Sequence, residues 1–119
     1  LRPVALFDVV ANNADRKIGH LIPTRDGAVY GVDHGICFHA EPKLRTVLWA
    51  WRGEQLTDNE RNRLEIVRDC LGGQLGAALR EHLAPAEIEA LRRRVERLLR
   101  EGGFPEPDPD RPAIPWPPY

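Results

Sequence analysis

The sequence predicts a mainly helical domain carrying one small antiparallel β-hairpin, and three observations predict it. Thr57-Asp58-Asn59-Glu60 is a capping box: the threonine oxygen accepts from a free backbone N–H, the glutamate reaches back to another, and a helix begins there. Ile88, Leu91, Val95, Leu98 and Leu99 recur at the three- and four-residue spacing of a helix face, behind a proline at 85 that suits a first helical turn. Asp26-Gly27 lies between two short apolar runs, the pattern of a hairpin turn.

The elements follow in order. Val4, Leu6, Phe7, Val10 and Ala11 mix helical spacings, so a helix starts near Pro3 and ends before Asn12-Asn13, either of which is suited to cap it or to touch a substrate. The polar run 12–19 is a loop. Residues 20–23 and 28–32 are short strands, and Asp33-His34-Gly35 ends the second with a glycine that permits an unusual backbone angle. Pro42 opens a short helical or irregular segment through Leu48-Trp49-Ala50-Trp51, whose two indoles require burial or a ligand. The capping box starts a helix over 58–71 that Gly72-Gly73 stops, a shorter helix spans 74–83, and the last begins at Pro85. These helices are expected to share a core of Leu64, Val67, Leu71, Leu75, Leu79, Ile88, Leu91, Val95 and Leu98. On the outer face of the last helix, Glu89 pairs with Arg93 and Glu96 with Arg100 at the spacing of surface ion pairs, so Arg92, Arg93 and Arg94 belong to a solvated face and not to a nucleic-acid patch. Residues 104–119, rich in proline and acid, form an extended arm with Trp116 and Tyr119 as its anchors, draped over the molecule or docked on a partner.

Bulk properties narrow the function. The chain has 119 residues and a formal net charge of -1, which gives no whole-molecule attraction to nucleic acid or an anionic membrane. No run approaches the roughly 20 apolar residues of a membrane span, and no signal peptide is visible, so a cytoplasmic setting is expected. Cys37 and Cys70 lack any CxxC spacing and are expected as reduced, buried residues. With no methionine and an interior-type leucine at position 1, the chain is expected to be a piece of something longer.

Chemistry concentrates around the hairpin. Asp15 and Asp33 lie about equally far from Thr24, beside the Asp26-Gly27 turn, so a chain that runs out and back returns the second acid near the first. Asn12, Asn13, Arg16, Lys17, His20, His34 and His39 add a polar density that core packing does not require. Transfer of the terminal phosphoryl group of ATP needs one carboxylate to orient and deprotonate the attacking hydroxyl and a second to hold the bridging cation. Two convergent aspartates meet that need.

Asp15-Arg16-Lys17-Ile18-Gly19-His20 followed by Val32-Asp33-His34-Gly35 resembles the catalytic loop and metal motif of the phosphatidylinositol 3- and 4-kinase superfamily, Asp-Arg-x-x-x-Asn and then Asp-x-Gly. The continuation Ile36-Cys37-Phe38-His39, with Pro42 and Leu48-Trp49-Ala50-Trp51, is most similar to the type II phosphatidylinositol 4-kinases and an actinobacterial branch grouped with them. The resemblance implies a protein-kinase-like C-terminal lobe over 1–103, with the catalytic and metal motifs in 12–39 and a helical region in 57–101, followed by the tail at 104–119. It implies Asp15 as catalytic base with Arg16 as a further catalytic or structural cation, Lys17 and His20 as cofactor-binding residues, and Asp33 with His20 as ligands of magnesium or manganese. His20 stands where the family has asparagine, and imidazole is a softer ligand than magnesium prefers. The N-terminal lobe that grips the phosphates of ATP and receives adenine is the implied partner, and the acceptor hydroxyl compound stays open.

Three other readings remain. His20, Asp33, His34 and His39 are suitable ligands for zinc or manganese in a metal hydrolase, although their spacing matches no HExxH signature. The His20 departure and the missing lobe suit a kinase-like module that binds nucleotide or a partner without turnover. A helical domain with a merely solvated polar loop is the plainest account.

Overall fold

The computed structural model of the protein describes residues 1–31 and 36–119. Helix α1 (Arg2–Ala11) leads into a polar loop, a 3-10 turn (Ile18–His20) and the hairpin β1 (Leu21–Pro23) and β2 (Val29–Gly31). An irregular segment then reaches α2 (Asp58–Leu71), α3 (Gln74–Leu79) and α4 (Pro85–Glu101). The mainly helical architecture with one two-stranded antiparallel sheet is therefore present.

Local chemistry explains the boundaries. Asn12 closes α1 in the left-handed conformation at φ 54°, where asparagine is better tolerated than most residues. In the hairpin Leu21 pairs with Gly31, Ile22 with Tyr30 and Pro23 with Val29, while Gly27 takes φ 84° in the turn. Asp26 fastens that turn by accepting from the Thr24 hydroxyl and the Ala28 N–H, and the Thr24 bond holds its carboxyl below the ordinary range. At the start of α2 the Thr57 hydroxyl accepts from Glu60 N at 3.1 Å and Glu60 accepts from Thr57 N at 2.8 Å. Helix α3 stops at Leu79, short of the predicted 83. Leu83 N still bonds Leu79 O, but Ala84 must be extended because Pro85 follows it, so the chain turns before α4 begins.

The core lies where α2 and α4 pack together, with α3 against α2 and α1 against α4. Leu64, Leu71, Leu91, Val95 and Leu98 are buried, and Val67, Leu75 and Leu79 pack partly buried around them. Ala5, Leu56 and Phe104 complete the cluster from outside the three C-terminal helices. On the exposed side of α4, Glu96 pairs with Arg92 at 2.6 Å and not with Arg100, since Arg92 stands between Glu89 and Glu96 and takes both. Arg93 does reach Glu89, at 3.4 Å. Arg94 departs from the expected solvated face, because it turns inward and donates to Val10 O and His39 O.

The arm at 104–119 drapes over its own molecule. Phe104 is buried and exchanges backbone bonds with Gly53 and Glu54, Ala113 O accepts from Thr46 N and from the Trp49 indole, and Pro118 O accepts from Ile18 N. Trp116 and Tyr119 are not its anchors, being 86% and 79% exposed. Backbone carbonyls, Phe104 and the buried Pro115 hold the arm instead. Trp51 packs half-buried against the core, while Trp49 is half-buried and held by its indole N–H on Ala113 O. Both cysteines are free thiols, but Cys70 is exposed, contrary to expectation, because it falls on the outer side of α2. Among the described residues no helix is long and apolar enough to cross a membrane.

Arg2 joins three parts of the fold. Its guanidinium makes a two-pronged bond to Glu60, reaches Glu54 at 2.9 Å, and stacks 4.9 Å from the centre of the Phe104 ring. The Arg2 bond holds the Glu60 carboxyl below its ordinary value of 4.5, so the folded state favours the carboxylate. That contribution is complete above about pH 4.5 and is lost as pH falls through the depressed folded value. Melting temperatures measured from about pH 6 to pH 3 should therefore fall more steeply for the natural chain than for Glu60→Gln. Parallel curves would show that the Arg2–Glu60 pair contributes no acid-sensitive stability.

Candidate functional site

The polar loop after α1 is fixed from beneath by a buried ion pair. Asp8 falls on the inner face of α1 with Ala5 and Ala11, and its side chain is fully buried. The Arg16 guanidinium, also fully buried, meets it through Nη2 at 2.9 Å and Nε at 3.1 Å. Asn13 Nδ2 donates to Asp8 Oδ1 at 3.2 Å, and the Thr46 hydroxyl donates to Oδ2 at 3.1 Å. A buried carboxylate needs such donors to offset lost hydration. The backbone follows the same tie, for Arg16 N bonds Arg45 O and Val47 N bonds Arg16 O in an isolated parallel bridge. A Cβ on Gly31 would lie 3.1 Å from an Arg16 nitrogen, so the return strand of the hairpin closes directly over the guanidinium.

Above this base the loop presents Asp15. Asn13 Oδ1 accepts from Asp15 N at 2.9 Å and sets the turn, while the Asp15 carboxylate stays 29% exposed with Lys17 Nζ 3.9 Å away. His20 Nδ1 accepts from Lys17 N at 3.2 Å, so the imidazole is oriented by its own loop. Asp15, Lys17 and His20 thus share one short, braced segment. Asp33 and His34 lie outside the described residues. Arg16 is in the interior on Asp8, a position from which it braces the loop instead of facing solvent.

Other polar residues fall elsewhere. The Asn12 amide donates to His39 O at 2.9 Å and Glu41 O at 2.7 Å, and its oxygen accepts from Lys43 N, so Asn12 caps α1 and pins the 39–43 segment. His39 is exposed and accepts from Glu41 N. Burial, with the Asp8 charge adding to it, pushes the Cys37 thiol up to about 11, which makes it a poor nucleophile at neutral pH. Among the described residues no group of three or more His, Cys, Asp or Glu side chains could hold a metal ion. Sequence reading passed over Asp8 and Thr46. The available signal was a single acid among apolar residues on the inner side of a helix, three positions from Ala5 and from Ala11.

No family model matches the sequence, and no solved structure matches it. The chain is similar to Protein Rv2133c of Mycobacterium tuberculosis (strain ATCC 25618 / H37Rv), with 52% identity over 119 residues, which is 100% of this chain and 42% of that relative. The chain therefore spans less than half the length of the curated relative it matches.

Proposed function

We propose that the protein is part of an ATP-dependent phosphotransferase of the phosphatidylinositol-kinase-like type, in which these residues supply a C-terminal lobe with the catalytic loop and the metal motif. The observation that carries this reading is the Asp15 carboxylate, partly exposed on a loop held rigid by the buried Asp8–Arg16 pair. A base needs both features, since it must reach a hydroxyl and hold its place. Asp15 accepts the proton of the attacking hydroxyl, Lys17 draws the phosphates, and Asp33 with His20 would hold the divalent cation. ATP with magnesium supplies the phosphoryl donor when bound. The hairpin register supports the second acid, because Gly31 pairs with Leu21 next to His20 and Asp33 follows two residues later in the sequence.

An N-terminal lobe, from the same polypeptide or a second one, is the proposed partner. The hairpin leaves Ile22 and Tyr30 exposed, apolar surface available to such a lobe. The acceptor is a hydroxyl compound, with a phosphoinositide the candidate that the resemblance suggests.

His20 favours a second reading. Its Nδ1 accepts from the Lys17 N–H, which places the proton of the neutral ring on Nε2, so the imidazole must give up that bond to ligate a cation where the family asparagine offers its amide oxygen directly, and this suits a module that binds nucleotide with weak or no turnover.

The test uses the longest natural polypeptide that carries this chain. ATP with magnesium should raise its melting temperature and be consumed with an acceptor, and Asp15→Asn should lower the rate by about a hundredfold or more with binding retained. The isolated 119-residue chain should show no measurable transfer. Binding without product would select the second reading, and neither binding nor turnover would sink both.

A further inference from the structure

A separate cavity of about 590 Å³ opens between α4, the 40–49 segment and the proline-rich arm. Its volume is in the range of small-molecule sites, roughly 300–1,000 Å³. Leu44, Trp49, Leu98, Pro105 and Pro112 give it a mainly apolar lining, and none of Asp15, Arg16, Lys17 or His20 takes part.

Charge at the wall is unevenly matched. Each acid there already faces another arginine: Glu101 is 3.1 Å from Arg97, Asp108 is 3.7 Å from Arg111, and Glu106 is 3.8 Å from Arg52. Arg94, part of the same wall, has no carboxylate partner among the described residues. Its Nε donates to Val10 O at 2.8 Å and its Nη1 to His39 O at 3.2 Å, but Nη2 is buried with no hydrogen-bond partner among the described residues. The carbonyls at the end of α1 offset part of the charge through the helix dipole. They leave Nη2 unsatisfied, and a buried cationic donor in that state favours an incoming anion.

We propose that this cavity binds a small organic acid, with an aromatic or aliphatic body against Leu44, Trp49 and the prolines and one acidic group on Arg94. The apolar lining selects the body, and Arg94 selects the charge. This site is independent of the phosphoryl-transfer reading, with which it shares no described residue of the catalytic loop.

The test titrates the whole 119-residue chain with anilinonaphthalene sulfonate, an aromatic anion, and with neutral phenylnaphthylamine, following fluorescence. The anion should bind saturably at a single site and more tightly than the neutral compound. Arg94→Met should weaken the anion by about tenfold or more and leave the neutral probe nearly unchanged. Ala90→Trp, which keeps Arg94 and fills the cavity from α4, should weaken both probes. Arg68→Met, at a partly exposed arginine of α2 outside the cavity lining, should change neither by more than about twofold. Should Arg94→Met fail to melt cooperatively, the Ala90→Trp result and the preference for anion over neutral compound decide. Absence of saturable binding, or equal binding of the anion by the natural chain and Ala90→Trp, would overturn the proposal.

Discussion

Asp8→Ala is expected to destabilise the protein by about 3–5 kcal/mol, because it breaks a fully buried ion pair by removing the carboxylate that meets the Arg16 guanidinium from α1. Asn13 Nδ2 and the Thr46 hydroxyl lose an acceptor in the same step. The change therefore strikes the base of the polar loop and not merely one contact. Replacing the charges together, as Asp8→Leu with Arg16→Met, should recover much of the loss, since an apolar pair of similar volume often equals a buried ion pair. Urea unfolding of the single and double variants measures both terms. A single-variant loss below about 1 kcal/mol would show that the pair does not brace the loop. Under the proposed phosphotransferase reading, in which the brace positions Asp15, the longest natural polypeptide carrying Asp8→Ala should lose transfer activity at temperatures where it is still folded.

The second large effect is expected at Leu91. Its side chain is 3% exposed beside Val95 and Leu98, where α4 meets the rest of the core. Leu91→Asp puts an unpaired charge there, which costs several kcal/mol and should abolish cooperative melting of the helical region. Leu91→Ala provides the graded comparison, with a loss of about 2–5 kcal/mol from removed contact and residual cavity. Circular dichroism against temperature reads both variants. Unchanged melting of Leu91→Asp would mean that α4 does not carry the core.

The candidate site was legible only in part. Asp15, Lys17 and His20 fall within a few residues of one another, so their association is nearly guaranteed by chain connectivity. Their support was not legible, because Asp8 and Thr46 are separated by 38 residues and meet only after α1 and the 45–47 segment have packed. Arg94 shows the same limit. Helical spacing with neighbouring glutamates marks Arg92 and Arg93 as exposed ion-pair residues, yet one position further on the side chain enters the groove between α1 and the 39–43 segment. Trp116 and Tyr119 fail for a related reason: aromatic bulk implies burial, but the arm is held through carbonyls that lie with Thr46, Trp49 and Ile18.

Local chemistry in the sequence determined where α1 and α2 begin and end, where α4 begins, the turn of the hairpin and the apolar stripe of α4. Each of these depends on residues within about one or two helical turns, where backbone sterics and capping bonds act without help from the rest of the chain. Only the tertiary structure decided that Arg16 would be buried on Asp8, that the arm would lie across the 42–56 segment, and that Arg94 would face inward with no carboxylate partner among the described residues. Those outcomes rest on contacts between distant segments, and burial alone converts an ordinary surface charge into a structural brace or an unsatisfied donor.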